Sequence, residues 1–552
     1  MASGPDPPRR RPALKAMVST FAAALLAALG LSGPMAAHAA PPSGPTFFVS
    51  GHGWGHGVGL AQYGAYGYAL HGWAAADIVA HYYPGTELGQ APVKRVRVLL
   101  VPGSKTVAVS SRSPFTVRDA SGKTHKLPAG RQQLGPGLKL KLAASAPSAK
   151  ALPGPLVFSP GTAPLALGDR AFHGSLKVTG GKAVRVVNTV GLEQYLWGVV
   201  PSEMPDTWPA EALKSQAIVA RTYALTHLQN GGGDFDVYPD TRSQVYGGIA
   251  AESSTARDAV NGTASQVVLY KGELAQTFFF SSSGGRTANV QDVWSSKPTP
   301  YLVSVPDPYD TLSPYHDWGP LKFGALRLGK RLGSRGALLD VHTDAAADGR
   351  VRSLTLVGSK GNRTISGSSA RAALGLRSTW FTIGTLSLSS PTKPVEYGTE
   401  TRLVGLARGI PRVTLESRPY GGQWKTLAIL KSRGGQVVAT LAPKVTTDYR
   451  LSSGIARSGV ARLSIAPSVR LTASTDRTSV TGLVKPLLPG TPVQVQRQAK
   501  NGTWATVATT SVTADGAFGA SVDLSPGAYR ARVVAGKGYA LGLSPLLTVV
   551  AA

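Results

Sequence analysis

Glu203 is the carboxylate most out of keeping with its surroundings in this chain. It follows the apolar run Leu196-Trp197-Gly198-Val199-Val200 and lies between Pro201 and Pro205, in what reads as a loop leading into a helix. Trp197, Met204 and Trp208 flank it. Keeping water away from a carboxyl group disfavours its anion, so such a glutamate is expected to hold its proton to higher pH than usual. An acid catalyst working near neutrality needs that property. A helix-capping or salt-bridged glutamate is the plainer reading, and local chemistry alone leaves both open. His52 and His56 are four apart, which on a helix would place two metal ligands on one face. Five glycines between residues 51 and 59 argue against a helix there, so imidazoles contacting sugar or backbone are expected and a metal is not.

The elements that must hold these groups are partly legible. Residues 209–228 read as a helix: Pro209 suits its first position, Glu211 its first turn, and Leu213, Ala217, Ala220, Ala224 and Leu228 form one apolar face. Gly231, Gly232 and Gly233 stop it. Residues 62–70 and 74–83 also read as helical, with a short helix from Ser368 to Leu374. From Val93 to Val190 the pattern is short strands between turns, including 96–101, 138–142 and 184–187. Strands 267–270 and 277–280 follow.

Beyond residue 388 a repeat appears. Val413 and Val493, Trp424 and Trp504, and Tyr449-Arg450 and Tyr529-Arg530 are all separated by 80 residues. A constant offset means two copies of one all-β module, each near the size of an immunoglobulin-like sandwich. Trp424 and Trp504 are expected to plug the cores. The fold class expected is an α+β catalytic region with many short strands and a few helices, followed by two all-β immunoglobulin-like sandwich modules. The boundaries expected are 47–386, with 47–90 as a distinct Gly/His-rich segment, then 390–467 and 468–552.

Composition narrows the class. The 552 residues include 65 Gly and 40 Pro, which favours turn-rich β architecture, and no Cys. Disulfides, thiolate zinc sites, iron–sulfur clusters and cysteine nucleophiles are excluded. The formal net charge is +29. Arg9, Arg10, Arg11 and Lys15 precede an apolar stretch from Met17 to Leu31 and a small-residue site at Ala37-His38-Ala39, the pattern of a signal peptide over 1–39. Arg10-Arg11 also resembles a twin-arginine signal. The stretch is short for a bilayer span, so no stable membrane span is expected after cleavage. The rest of the chain still carries +26, spread rather than clustered. Anionic wall polymers are the expected partners of such a charge outside the cell, and nucleic acid is not.

Several segments together resemble one known family, the stage II sporulation protein D/LytB proteins. They are Tyr195 to Pro205, Trp208 to Ala217, Ala220 to Leu225, Gln244 to Gly248, Phe280 to Thr287, Pro300-Tyr301-Leu302 and Leu374 to Phe381. The resemblance covers roughly 47–386. It implies lytic cleavage of peptidoglycan glycan strands, with Glu203 as catalytic carboxylate and Arg221 as a second functional residue on the following helix. A helical wheel puts Arg221 at the edge of the apolar face, from which it could reach a groove. The turn Ser281, Ser282, Ser283, Gly284 and Gly285 resembles a groove wall, its small side chains letting a polysaccharide approach the backbone. Tyr270 and Lys271 are further groove candidates, as are His56 and Gln62 from the Gly/His-rich element. In the sporulation proteins that element follows the Ser-Gly turn. Here it comes first, so it must pack back against the core. Some relatives bind zinc through Cys and His, which a chain without Cys cannot reproduce. One carboxylate suffices for a lytic transglycosylase, although Asp206, Glu211 and Asp240 leave a two-carboxylate hydrolase open. No cofactor is expected. The family also includes enhancers of a cell-wall amidase, so such an amidase is a further expected partner, and a wall-binding adaptor is the third reading.

Overall fold

Alternating apolar residues give residues 95–191 their form. Strands Arg95–Ser104 and Val184–Gly191 pair antiparallel within a six-stranded sheet, and a four-stranded sheet joins it around Val107, Phe115, Phe158, Leu176 and Val186. The computed structural model describes residues 44–91, 95–143, 145–228, 233–294, 296–410, 412–454, 456–536 and 538–550. The signal segment expected over 1–39 lies outside them. Strands hold 42% of the chain and helices 17%, a mixed α and β architecture in which β dominates. The strand expected over 138–142 shrinks to Lys139–Leu140, because Leu138 has a left-handed backbone (φ 48°) that ends extended pairing.

Five helices build the central core: α1 (Gln62–Leu70), α2 (Ala75–Tyr82), α3 (Leu192–Glu203), α4 (Ala210–Thr226) and α5 (Ser254–Gly262). Pro209 caps α4 and so lies one residue before the first helical position expected for it. This helix is buried on more than its expected face, since Ala212, Ile218 and Val219 are covered as well as Leu213, Ala217, Ala220 and Ala224. It is the central helix, with α1, α2, α3, α5 and strand Gln266–Tyr270 all against it. The segment read as a loop before Glu203 is instead helix α3. Gly198 and Pro201 lower its helical propensity, but Tyr195, Leu196, Val199 and Val200 on its buried face decide the outcome.

The Gly/His-rich segment does pack back against the core. Leu60 and Ala61 pair in parallel with Phe279 and Phe280, and Trp54 bridges to Ser282. Strand Thr46–His52 lies inside an antiparallel sheet, between Asp317–Gly324 and Phe381–Leu388, and the sheet continues through Thr401–Arg408 to Gln436–Leu441. One sheet therefore crosses residue 388. Among the described residues no helix is long and apolar enough to cross a membrane.

The repeat appears as matched topology. Lys425–Leu430, Val413–Pro419 and Thr447–Ser453 are hydrogen-bonded in that order, and Trp504–Ser511, Pro492–Gln498 and Gly527–Val533 reproduce it. Tyr449 and Tyr529 point into the cores. The two tryptophans do not plug them, contrary to expectation. Trp424 and Trp504 are half-buried on the opposite sheet faces, with the Arg450 and Arg530 guanidinium carbons each 4.0 Å from the ring centroid. Strand alternation is the reason: the tyrosine faces in, so the arginine next to it faces out and covers the ring.

Candidate functional site

Glu203 is the last residue of α3, and its side chain is half-buried beside a groove of about 510 Å³. Its Oε1 accepts a hydrogen bond from the Val245 N–H at 2.7 Å, and Gln62 Nε2 lies 3.5 Å from Oε2. The donor loop is fixed from below. Tyr195 donates to Gln244 Oε1 at 3.1 Å, and Gln244 Nε2 donates to the Ala220 carbonyl at 3.1 Å. Burial raises the Glu203 pKa above the ordinary glutamate value, and the hydrogen bonds from Val245 and Gln62 only partly oppose it. The negative end of the α3 dipole acts in the same direction as burial.

The groove takes residues from three distant parts of the chain. Trp54, His56 and Gln62 come from the Gly/His-rich segment, and Ser281 and Trp294 from the middle. Arg371 reaches in from the helix Gly367–Leu374. His56 is neutral: burial pushes its pKa down to about 3, its Nδ1 accepts from the Val58 N–H at 3.1 Å, and its ring packs 5.1 Å from Trp294 and 5.4 Å from Phe280. His52 instead pairs with Asp317 at 2.6 Å. Among the described residues no group of three or more His, Cys, Asp or Glu is placed to hold a metal ion. Arg242 and Arg371 line the groove, and Glu203 is the one carboxylate among its lining residues. The other carboxylates weighed do not line it. Glu211 is bound to Lys214 and to the Ala75 N–H, Asp240 pairs with Arg242 at 2.7 Å, and Asp206 lies outside.

Four expectations are corrected. Arg221 does not reach the groove. It is fully buried, gripping Glu193 through Nε and Nη2 at 2.9 and 2.6 Å and donating to the carbonyls of Val260 and Gln266. A guanidinium out of water must satisfy its donors, and Glu193 with these carbonyls does so. Of the turn 281–285, only Ser281 lines the groove. Ser282, Ser283 and Gly284 wrap the buried carboxylate of Asp310 with three hydrogen bonds of 2.8 to 2.9 Å, and the Gly285 N–H is taken by Ser283 Oγ at 3.0 Å. Gly284 (φ +74°) makes room for protein rather than sugar, since a Cβ there would lie 2.6 Å from that of His52. Tyr270 packs on Tyr301 at 4.9 Å, and Lys271 lies over the Tyr270 ring in a hairpin turn, so neither lines the groove.

Behind the wall sits a carboxylate that sequence reasoning missed. Asp307 is fully buried, and its carboxylate faces the Tyr82 and Ser283 hydroxyls with no cation paired to it among the described residues. Burial, and then the charge of Asp310, push its pKa up to about 7. Tyr82 and Ser283 neighbour it, and His316 pairs with Asp310 at 3.1 Å. Gly64 permits this approach, because a Cβ would fall 1.9 Å from the Tyr82 hydroxyl and 2.3 Å from Asp307. Arg371, Arg242 and Trp294 were also missed. Their only sequence signal is residue type, since each comes from an element whose orientation depends on tertiary packing.

Comparison with known proteins singles out the same core. The family model described as Stage II sporulation protein matches residues 180–270. An uncharacterized protein of Brachyspira hyodysenteriae (strain ATCC 49526 / WA1) is 39% identical over 122 residues, 22% of this chain and 33% of that protein. The Amidase enhancer of Bacillus subtilis (strain 168) is 42% identical over 116 residues, 21% of this chain and 15% of the enhancer. Stage II sporulation protein D of the same organism is 35% identical over 144 residues, 23% of this chain and 42% of that protein. The chain thus spans less than half the length of these relatives. Glu203, Val245, Glu193 and Arg221 all fall within the matched stretch, and it is through this stretch that the chain is similar to the stage II sporulation protein D/LytB proteins.

Proposed function

We propose that this protein is a secreted, wall-associated peptidoglycan lytic transglycosylase that cleaves MurNAc–GlcNAc bonds of glycan strands. The observation that carries the reading is a lone, desolvated carboxyl group, Glu203, at the floor of an aromatic and basic groove. With Oε1 occupied by the Val245 N–H, the proton belongs on Oε2. As acid, Glu203 gives that proton to the glycosidic oxygen while the bond from C1 breaks. As carboxylate, it then takes the proton of the C6 hydroxyl of the same MurNAc. That oxygen bonds to C1, closing a 1,6-anhydro ring and returning Glu203 to its starting state. No second carboxylate is needed, in keeping with the residues lining the groove. Trp54 and Trp294 offer apolar faces to sugar rings, and Arg371 suits acidic substituents of the glycan. Arg221 acts as a positioning residue, tying α4 to α3 through Glu193.

In this reading residues 47–386 form the glycan-acting unit, and the modules 390–467 and 468–552 are immunoglobulin-like sandwiches that hold it at the wall. A second reading is favoured by the identity to a protein named Amidase enhancer: a non-catalytic stimulator of a cell-wall amidase. Product analysis separates the two. Residues 40–552 and the Glu203→Gln variant are incubated with peptidoglycan, with and without stem peptides, and new ends are read by mass spectrometry. Ends lighter by one water from the wild type alone support the transglycosylase. Reducing ends mean a hydrolase. No cleavage, with stimulation of an added amidase, favours the enhancer.

A further inference from the structure

The two C-terminal copies keep the same Trp–Arg stack but differ in what neutralises it. In the first copy, Glu416 pairs with Arg450 at 2.6 Å and Arg457 at 3.7 Å, and Asp448 pairs with Arg418 at 2.9 Å and Arg462 at 2.7 Å. In the second copy, Gln496 stands where the repeat places Glu416, and Ala528 where it places Asp448. Arg530 donates to Gln496 Oε1 at 3.0 Å and Arg532 donates to Gln494 Oε1 at 2.8 Å. Each guanidinium is oriented by an amide oxygen in place of a carboxylate. Among the described residues, no Lys or Arg beyond Arg462 makes an ion pair.

Arg530 and Arg532 share one face of one strand, because Tyr529, Ala531 and Val533 fill the core beneath. Residues two apart on a strand are separated by about 6.7 Å. Two like charges so close repel unless a counter-charge joins them. Trp504, stacked at 4.0 Å on Arg530, adds a half-buried apolar face beside the pair.

We propose that this face of the second module binds a phosphodiester-linked polyol polymer, with successive phosphates on Arg530 and Arg532 and the carbon backbone against Trp504. A guanidinium fork matches two phosphate oxygens. A polymer repeating its charge with each short polyol unit supplies the two anions that a strand-spaced pair requires. The site is independent of Glu203 and of the reaction proposed for it.

The test is titration of residues 40–552 with a synthetic glycerol phosphate oligomer, with polyglutamate and single-stranded DNA as comparison polyanions. The wild type is expected to prefer the glycerol phosphate oligomer. Replacing both arginines (Arg530→Gln with Arg532→Gln) is expected to weaken binding roughly tenfold or more. Gln496→Glu, which restores the acid of the first copy, is expected to weaken it severalfold without disturbing the fold, and Arg418→Gln in the first copy is expected to leave it unchanged. Thermal melting checks that the variants are folded, and if the double variant is not, Gln496→Glu decides. No binding by the wild type, binding indifferent to these changes, or equal or tighter binding of polyglutamate or DNA overturns the proposal.

Discussion

Glu193 and Glu203 stand at opposite ends of helix α3 and obey opposite electrostatics. Glu193 lies in the first turn, where the helix dipole favours an anion, and two nitrogens of buried Arg221 hold it. Glu203 ends the same helix, where the dipole disfavours an anion, with no cation paired to it among the described residues and a raised pKa. One helix thus carries a carboxylate spent on structure and another kept for proton transfer. Residue type says nothing about which is which; the partner does.

The contrast has consequences that can be measured. Turnover comes first: if the proposed reaction is right, Glu203→Gln should reduce glycan cleavage by about 10²–10⁴-fold, the usual worth of a general acid. Glu193→Gln should retain cleavage wherever the protein stays folded, and product counting on soluble glycan checks both. For the wild type, kcat should fall as pH rises through a pKa above that of ordinary glutamate, the acid limb belonging to Glu203.

Next in size is the structural end of the helix. Arg221→Met leaves Glu193 without its cation and removes donors from the carbonyls of Ala217, Val260 and Gln266, and should cost about 3–5 kcal/mol in urea unfolding. Arg221→Lys, which keeps the charge but loses the fork, should lie between.

Asp307 gives a pH-dependent effect. Its pKa is raised on folding, so the native state binds the extra proton between pH about 4 and about 7, and stability falls as pH rises across that window. Asp307→Asn should flatten this stretch of the stability profile, as followed by urea midpoints at several pH values.

The smallest expected shift concerns Glu203 again, with a sign opposite to that at Arg221. At pH 7 the wild-type protein bears the cost of ionising a desolvated carboxyl, so Glu203→Gln should raise the melting temperature by about 2 °C. The gain should vanish as acid protonates the wild-type residue. A loss of stability instead would mean that Glu203 is held by its partners much as Glu193 is.

Local pattern carried much of the fold. The α4 helix, the two short helices before residue 90, most strands and the repeat of the C-terminal modules follow from periodicity and turn chemistry. Helix α3 did not, because Gly198 and Pro201 argue locally for a loop and only burial against α4 and α5 overrides them. Glu203 was legible through its misfit among apolar neighbours. The direction taken by Arg221 was not, since a helical wheel gives an angle but not the depth of the neighbouring helix. Trp424 and Trp504 were misplaced for a related reason: aromatic size argues for the core, but strand alternation had already assigned the inward positions to Tyr449 and Tyr529. Arg371 joins the groove, and Asp307 packs behind its wall, through contacts between segments far apart in sequence, which no local window reports.

The sheet that crosses residue 388 bears on timing. Thr46 pairs with Leu386 and Gly51 with Phe381, so the strand leading into the His56 wall has no partner on that side until more than two thirds of the chain has been made. Contacts of such long sequence separation form late and slowly. Arg371 arrives at the same stage. The groove is therefore assembled only after the polypeptide has emerged almost to its C-terminal modules, and a nascent chain carrying Glu203 alone has no wall in which to hold a substrate.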